Sequence, residues 1–228
     1  MSLVGDTAVW LGDLAHYRGV DGVPHRLAEH LALTGIAVGV AALVGLPVGL
    51  LLGHLRRGGT VVTALTNASR AVPTLGVLII FSSIASIGIG NRAAVYALVL
   101  FAIPPILVNT YVGIAGVDRE VVEAARGMGM GEAAVLLQVE LPLARGLVVA
   151  GLRTAVVQVI ATATLAAYVG GGGLGTFVNN GYGRQDYAQV LGGAVWIAGL
   201  ALAAEIVLAG LQRLVTPAAL RTGPVGAA

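Results

Sequence analysis

Five apolar runs, each of about 20 residues or more, divide this chain and constrain its fold more than any other feature. They cover approximately residues 31–55, 61–87, 93–115, 146–169 and 190–211. A hydrocarbon layer about 30 Å thick is crossed by about 20 residues of α-helix. Inside lipid every backbone N–H and C=O must be bonded within the protein, and a helix does this locally. The composition agrees, with 57% hydrophobic and 11% charged residues, where soluble domains carry about 25% charged. The expectation is an all-α integral membrane protein with about five transmembrane helices. Its organisation reads as a leader at 1–30, a transmembrane domain at 31–212 and a short cytoplasmic tail at 213–228. The start lacks an early basic region and carries Asp6 and Asp13, unlike a cleavable signal. Trp10, Leu11, Leu14 and Tyr17 are suited to one side of an interfacial helix; a mobile leader is the other reading.

Composition also excludes chemistry. The chain has no Cys, so it forms no disulfide or thiolate metal site. All 13 basic residues are Arg. Without Lys there is no GxxxxGK[ST] phosphate loop, so any ATP hydrolysis belongs to a partner. A net charge of +2 gives no reason to expect nucleic acid. The four His (16, 25, 30 and 54) lie at or before the edges of the first run, with no facing carboxylate cluster predicted. No metal site or catalytic constellation is expected. His30 and His54 read as markers of the first span's ends.

The arginines orient the spans. Under alternation Arg56, Arg57, Arg119, Arg126, Arg145, Arg213 and Arg221 share one side, and Arg18, Arg26, Arg92 and Arg184 the other. Basic loops favour the cytoplasm. The N-terminus is therefore expected outside and the C-terminus inside.

Between the third and fourth runs lies a polar insert, residues 118–142, carrying Asp118, Arg119, Glu120, Glu123, Arg126, Glu132 and Glu140. It reads as two short helices joined by a glycine turn. Asp118 suits the first helix's cap, and Glu120 and Glu123 suit its positive N-terminal end. Gly127 and Gly129 break that helix, and Pro142 is expected to stop the second. Val121, Ala125 and Met128 are expected on one face.

Several polar groups fall inside the runs. Arg70 either faces a pathway or gate or snorkels to the headgroups. Pro73 can kink its helix. Glu205 is either paired within the bundle, with Arg153 as partner, or lines a pathway. Pro104–Pro105 with Asn109 and Thr110 marks a bend or a packing irregularity. The run Gly170–Gly175 fits G-x-G-x-x-G, but it follows a membrane helix rather than a strand, so a dinucleotide site is rejected. A tight, flexible external turn is expected instead.

Two patterns carry a resemblance. In the polar insert, Glu123-Ala124-Ala125 is followed after three residues by Gly129, after nine more by Val139, and then by Leu141-Pro142. This resembles the EAA loop of bacterial ATP-binding-cassette (ABC) importer permeases; Val139 stands where Ile is frequent. The run Ala161-Thr-Ala-Thr-Leu-Ala-Ala-Tyr168-Val-Gly-Gly-Gly-Gly-Leu-Gly175 resembles permeases for glycine betaine and related osmoprotectants, and is similar to a run in methionine importer permeases. Gly45-Leu-Pro47-Val-Gly49 and Arg70-Ala-Val-Pro73-Thr74-Leu75 favour the same branch.

The resemblance implies the type I importer permease (MetI-like) fold in a bacterial plasma (inner) membrane. It implies a non-catalytic subunit that forms the translocation pore for glycine betaine, choline, carnitine or a similar solute. The implied partners are a cytoplasmic ATPase dimer that binds ATP and Mg, a second permease chain (same or sister) and an extracytoplasmic substrate-binding protein. Glu123, Ala124, Ala125, Met128, Gly129, Leu141 and Pro142 become candidates for ATPase coupling. Asn67, Arg70, Pro73, Thr164, Tyr168 and Glu205 become candidates for the pathway or gate. The chain's two Trp, six Tyr and three Phe form no evident cage for a quaternary ammonium, which places selectivity in the binding protein. A methionine or other small-solute permease is the nearest alternative. A stand-alone secondary transporter would need midplane ion sites and repeats, and a membrane enzyme would need a catalytic cluster.

Overall fold

The computed structural model describes residues 2–216, apart from the Arg70 side chain. Arg221 and the tail beyond 216 lie outside the described residues. Helices α1 (Leu3–Gly12), α2 (Val23–His54), α3 (Gly59–Ala71), α4 (Thr74–Ser83) and α5 (Asn91–Ala115) lead to the polar insert. The insert holds α6 (Arg119–Gly127) and α7 (Glu132–Val135); α8 (Leu141–Thr162), α9 (Gly175–Arg184) and α10 (Tyr187–Val215) follow. No strand occurs among the described residues.

Four stretches are long and apolar enough to cross a membrane: α2, α5, residues 132–169 and α10. A fifth is broken. The expected second run consists of α3 and α4, bent by 86°. Pro73 has no N–H and drives the residue before it out of the helical region. Val72 accordingly has φ −80° and ψ 126°. The expected kink is therefore a full break. The first span starts at Val23 rather than Leu31.

The leader is structured. Trp10 is buried, meets Phe177 edge-on at 5.5 Å and fills the space above Gly192, where a Cβ would lie 2.2 Å from its ring. Tyr17 Oη donates to the Leu11 carbonyl at 2.7 Å. Trp10 thus docks α1 on α10, with Phe177 of α9 against its ring. Leu14, expected on the apolar side, is exposed.

The core sits where α2, α5 and α8 meet: Ala37, Ala41, Leu98, Ala102, Ile106, Ala155, Val159 and Ala163 are buried together. Small residues set the spacing. Gly45, Gly49 and Gly53, one helical turn apart, face Ile106, Thr110 and Ile114. A Cβ on Gly49 would lie 2.8 Å from Thr110 Cβ, and one on Gly53 2.7 Å from Ile114 Cβ. Such small-residue seams let membrane helices approach without a hydrophobic drive from water.

Helix α5 runs unbroken through Pro104 and Pro105. Pro105 cannot bond the Phe101 carbonyl one turn back. Gln158 Nε2 of α8 donates to that oxygen at 3.4 Å, and Asn109 Nδ2 donates to the Pro105 carbonyl at 2.8 Å. Pro142 does not stop its helix either. A widened turn at Leu136–Glu140 joins α7 to α8, with Pro142 in the first turn of α8. The wide turn displaces the carbonyl that the proline ring would otherwise strike.

Candidate functional site

The polar insert closes one end of the bundle. Asp118 Oδ1 accepts from the Glu120 N–H at 2.9 Å, capping α6. Gly129 adopts φ +87°, the left-handed turn expected after α6. Val122 and Ala125 are buried with Ile114, Val117, Val135, Ala144 and Val148. The expected face of Val121, Ala125 and Met128 is thus corrected. Ala125 points inward with Val122, because α6 lies on the ends of α5 and α8. The outward stripe is Val121, Ala124 and Met128, with Val121 44% and Met128 78% exposed. Glu123 and Gly129 are exposed beside it, Leu141 is half-buried and Pro142 is exposed.

Behind α6 is a charged cluster that sequence reasoning missed. Glu140 is buried, and its Oε2 lies 2.5 Å from His54 Nδ1. His54 Nε2 lies 3.0 Å from Glu132 Oε2. Arg126 grips the same carboxylate in two-pronged fashion, Nε to Oε1 at 3.0 Å and Nη2 to Oε2 at 2.8 Å. The hydrogen bond to Glu132 holds the Arg126 guanidinium above even its ordinary range. These residues line a cleft of about 500 Å³. So His54 does end α2, but it faces two carboxylates. The three groups do not form a metal-holding cluster among the described residues.

At the opposite end the glycine run is pinned. Gly170 and Gly173 have φ +76° and +93°. The N–H of Gly172 donates to Asn91 Oδ1 at 2.8 Å, and that of Gly173 to Glu29 Oε2 at 2.9 Å. Leu174 N–H donates to His30 Nδ1 at 3.3 Å, which leaves His30 Nε2 to donate to the Ile160 carbonyl at 2.9 Å. His30 is fully buried and lies well inside α2 rather than at its end. The expected flexible turn is instead fastened by three side chains, because the irregular backbone leaves the N–H groups of Gly172, Gly173 and Leu174 without backbone acceptors, and each needs a partner.

The pathway candidates fall in three separate places. Asn67 is on α3 and Pro73 at the break after it, both exposed; Arg70 is in the last turn of α3, its side chain outside the described residues. Thr164 and the half-exposed Tyr168 lie in a tight 3-10 segment, Ala163–Val169, after α8. Glu205 of α10 pairs with Arg153 of α8, Nε to Oε2 at 2.9 Å and Nη2 to Oε1, while Arg153 Nη1 donates to Gln212 Oε1 at 2.8 Å. The pair expected as one alternative for Glu205 is present, but it is not enclosed. With Thr154 and Gln158 it lines an open cleft of about 450 Å³.

This arrangement, an α2–α5–α8 bundle with a capped amphipathic helix at one end, agrees with what the chain matches. Residues 45–221 fit the family described as binding-protein-dependent transport system inner membrane component. The chain belongs to this family. It is therefore a multi-pass membrane component of such a transport system. The chain is 36% identical over 197 residues to the choline transport system permease protein OpuBB of Bacillus subtilis, covering 86% of this chain and 90% of that one. It is 37% identical to the carnitine transport permease protein OpuCB of Listeria monocytogenes, covering 87% and 90%. It is 34% identical to the osmoprotectant import permease protein OsmW of Salmonella typhimurium, covering 85% and 91%. In fold it resembles an inward-facing structure of the MetNI methionine ABC transporter, with a TM-score of 0.75 over 95% of this chain and all of that chain, at 24% identity. That likeness speaks for the fold: an all-helical type I importer permease.

Proposed function

We propose that this chain is the permease subunit of an ABC importer for quaternary ammonium osmoprotectants such as glycine betaine, choline or carnitine. The observation that carries the coupling role is the outward apolar stripe Val121–Ala124–Met128 on α6. An apolar stripe ringed by charges on a polar insert fits a protein groove better than water or lipid. The partner is a cytoplasmic ATPase dimer, which binds ATP and Mg. Glu123, Ala124, Met128 and Gly129 touch it; Ala125, Leu141 and Pro142 hold the loop in position. The insert end is cytoplasmic, the N-terminus is outside, and a separate binding protein delivers solute to the glycine-turn end.

The substrate class rests on the relatives named for choline, carnitine and osmoprotectants. A methionine reading has the fold likeness and the resemblance of the Ala161–Gly175 run behind it, but none of these named relatives. The half-exposed Arg153–Glu205 pair supports a second permease chain. Charged groups in a span avoid lipid, so the α8–α10 face carrying Arg153, Thr154, Gln158 and Glu205 turns toward a shared aqueous pathway. ATP binding draws the two inserts together, the spans rock, and the pore opens outward to the delivered solute.

The test is reconstitution with the cognate ATPase and binding protein, measuring uptake of labelled betaine, choline, carnitine and methionine. ATP-dependent uptake of a quaternary ammonium solute is expected. Uptake of methionine alone overturns the substrate class, and uptake without the ATPase overturns the importer reading.

A further inference from the structure

Helix α2 is gripped at both ends by groups that nothing in its hydropathy requires. At the insert end its last residue, His54, binds Glu132 and Glu140 together. Glu132 in turn holds Arg126, in the last turn of α6. A continuous series of hydrogen bonds therefore runs from α6 through α7 into α2 and the wide turn ahead of α8. At the other end Glu29 and His30 accept from the N–H groups of Gly173 and Leu174. The two grips are 24 residues apart by number (His30 to His54), or about 36 Å along a helix.

The space between them is built for rigidity. Gly45, Gly49 and Gly53 seat α2 against α5 at contact distance, and α2 is one continuous helix despite Pro47. A rod that is tightly seated and bonded at both ends moves as a unit, and packed interfaces shift between discrete positions rather than deform smoothly. At the insert end the links differ in kind. Glu140 is buried, so its bond to His54 is structural: loss of His54 strands a buried carboxylate. Glu132 is 61% exposed, so its bond to His54 can be removed without burying a charge.

We propose that α2 is the transmission rod of this permease, that Glu132 is the positioning residue joining the coupling insert to it through His54, and that motion of α6 thereby reaches the Gly170–Leu174 turn. This rests on the coupling role proposed for α6. The insert's displacement on nucleotide binding pulls His54, and the rod carries it to Glu29 and His30. The amides of Gly173 and Leu174 are then released or re-seated with each ATP cycle.

The test uses the reconstituted complex with Glu132→Ala, and Glu132→Gln, which keeps a carbonyl acceptor for His54. Three quantities are read: ATPase co-purification, solute moved per ATP hydrolysed, and nucleotide-dependent hydrogen exchange of a peptide spanning residues 170–174. In the unsubstituted complex, nucleotide is expected to change that exchange. In Glu132→Ala the ATPase stays bound, the exchange response is lost, and transport per ATP falls about five- to tenfold, a coupling loss of the size seen along such networks. Glu132→Gln is expected to restore part of both. Unchanged transport per ATP and an intact exchange response in Glu132→Ala overturn the rod while leaving the coupling role of α6 standing. Failure of the unsubstituted chain to bind the ATPase overturns that role and the rod with it.

Discussion

Gly49 shows how one missing methyl sets the spacing of a membrane core. A Cβ there would meet Thr110 Cβ at 2.8 Å and the Leu107 carbonyl at 2.9 Å. Neither can retreat: Thr110 is fully buried, and its hydroxyl is bonded to the Ile106 carbonyl at 2.7 Å. Gly49→Ala should therefore cost about 1–3 kcal/mol, as overpacking does. A lowered unfolding temperature in detergent would report it. Gly199→Ala is the control, since nothing lies within 4 Å of its Cβ position; helix propensity predicts a gain of up to about 1 kcal/mol there. Equal effects at the two sites would remove the argument for a seam. The four-residue spacing of Gly45, Gly49 and Gly53 is visible in the chain. What it cannot convey is that the ridge opposite is Ile106, Thr110 and Ile114, because the sequence carries no record of which helix is the neighbour. The same blindness hid the His54 cluster, in which His54 and Glu140 are 86 residues apart.

At the scale of elements, α6 illustrates a helix whose two faces have different obligations. Its period is legible, but the face assignment slips at Ala125, because Val121 and Val122 are equally apolar and only the packing on Ile114 and Val135 chooses between them. The choice yields a prediction. Val121→Asp combined with Met128→Asp should abolish co-purification of the ATPase while the permease still inserts and keeps its unfolding temperature. Val122→Asp should instead lower the unfolding temperature, because an unpaired carboxylate would enter a closed apolar cluster. If the outward pair disturbs folding and the inward one does not, the orientation is wrong.

Helices α8 and α10 make a comparable case. Each of Arg153→Met and Glu205→Met leaves a charge in a span, so both should reduce the yield of folded protein more than the double substitution does. Size-exclusion profiles from matched expression would show this. Yield recovered in the double variant, with uptake still lost, would separate a pathway role from a purely structural pair. The break at Pro73 was legible as an irregularity, but its 86° angle depends on how α4 lies on α5, where Leu78 is fully buried. Helix α9 left no clear sign, since Gly, Asn and Thr within Gly175–Arg184 weaken any period; packing on α10 forms it.

For the molecule as a whole, the decisive question is which end faces the cytoplasm, since coupling and solute delivery exchange places if the chain is inverted. Two arguments give the same direction. Arg56, Arg57, Arg119, Arg126, Arg145 and Arg213 gather at the insert end, against Arg18, Arg26, Arg92 and Arg184 at the other. The capped, charge-ringed α6 also lies at the arginine-rich end. The chain contains no Cys, so single cysteines can report sidedness without background. Val20 is 70% exposed in the turn before α2, and a side chain at Gly127 would meet nothing within 4 Å. In intact cells a membrane-impermeant maleimide should label Val20→Cys, and it should label Gly127→Cys only after permeabilisation. The reverse pattern would place the insert outside, beyond reach of any cytoplasmic ATPase, and the importer mechanism would fall. Labelling of both in intact cells would mean that the spans do not alternate, which four continuous crossings and one broken crossing require. The fold itself fixes only that the glycine turn and the insert occupy opposite ends of α2. The arginine count assigns those ends to the two sides of the membrane, and the maleimide experiment tests that assignment directly.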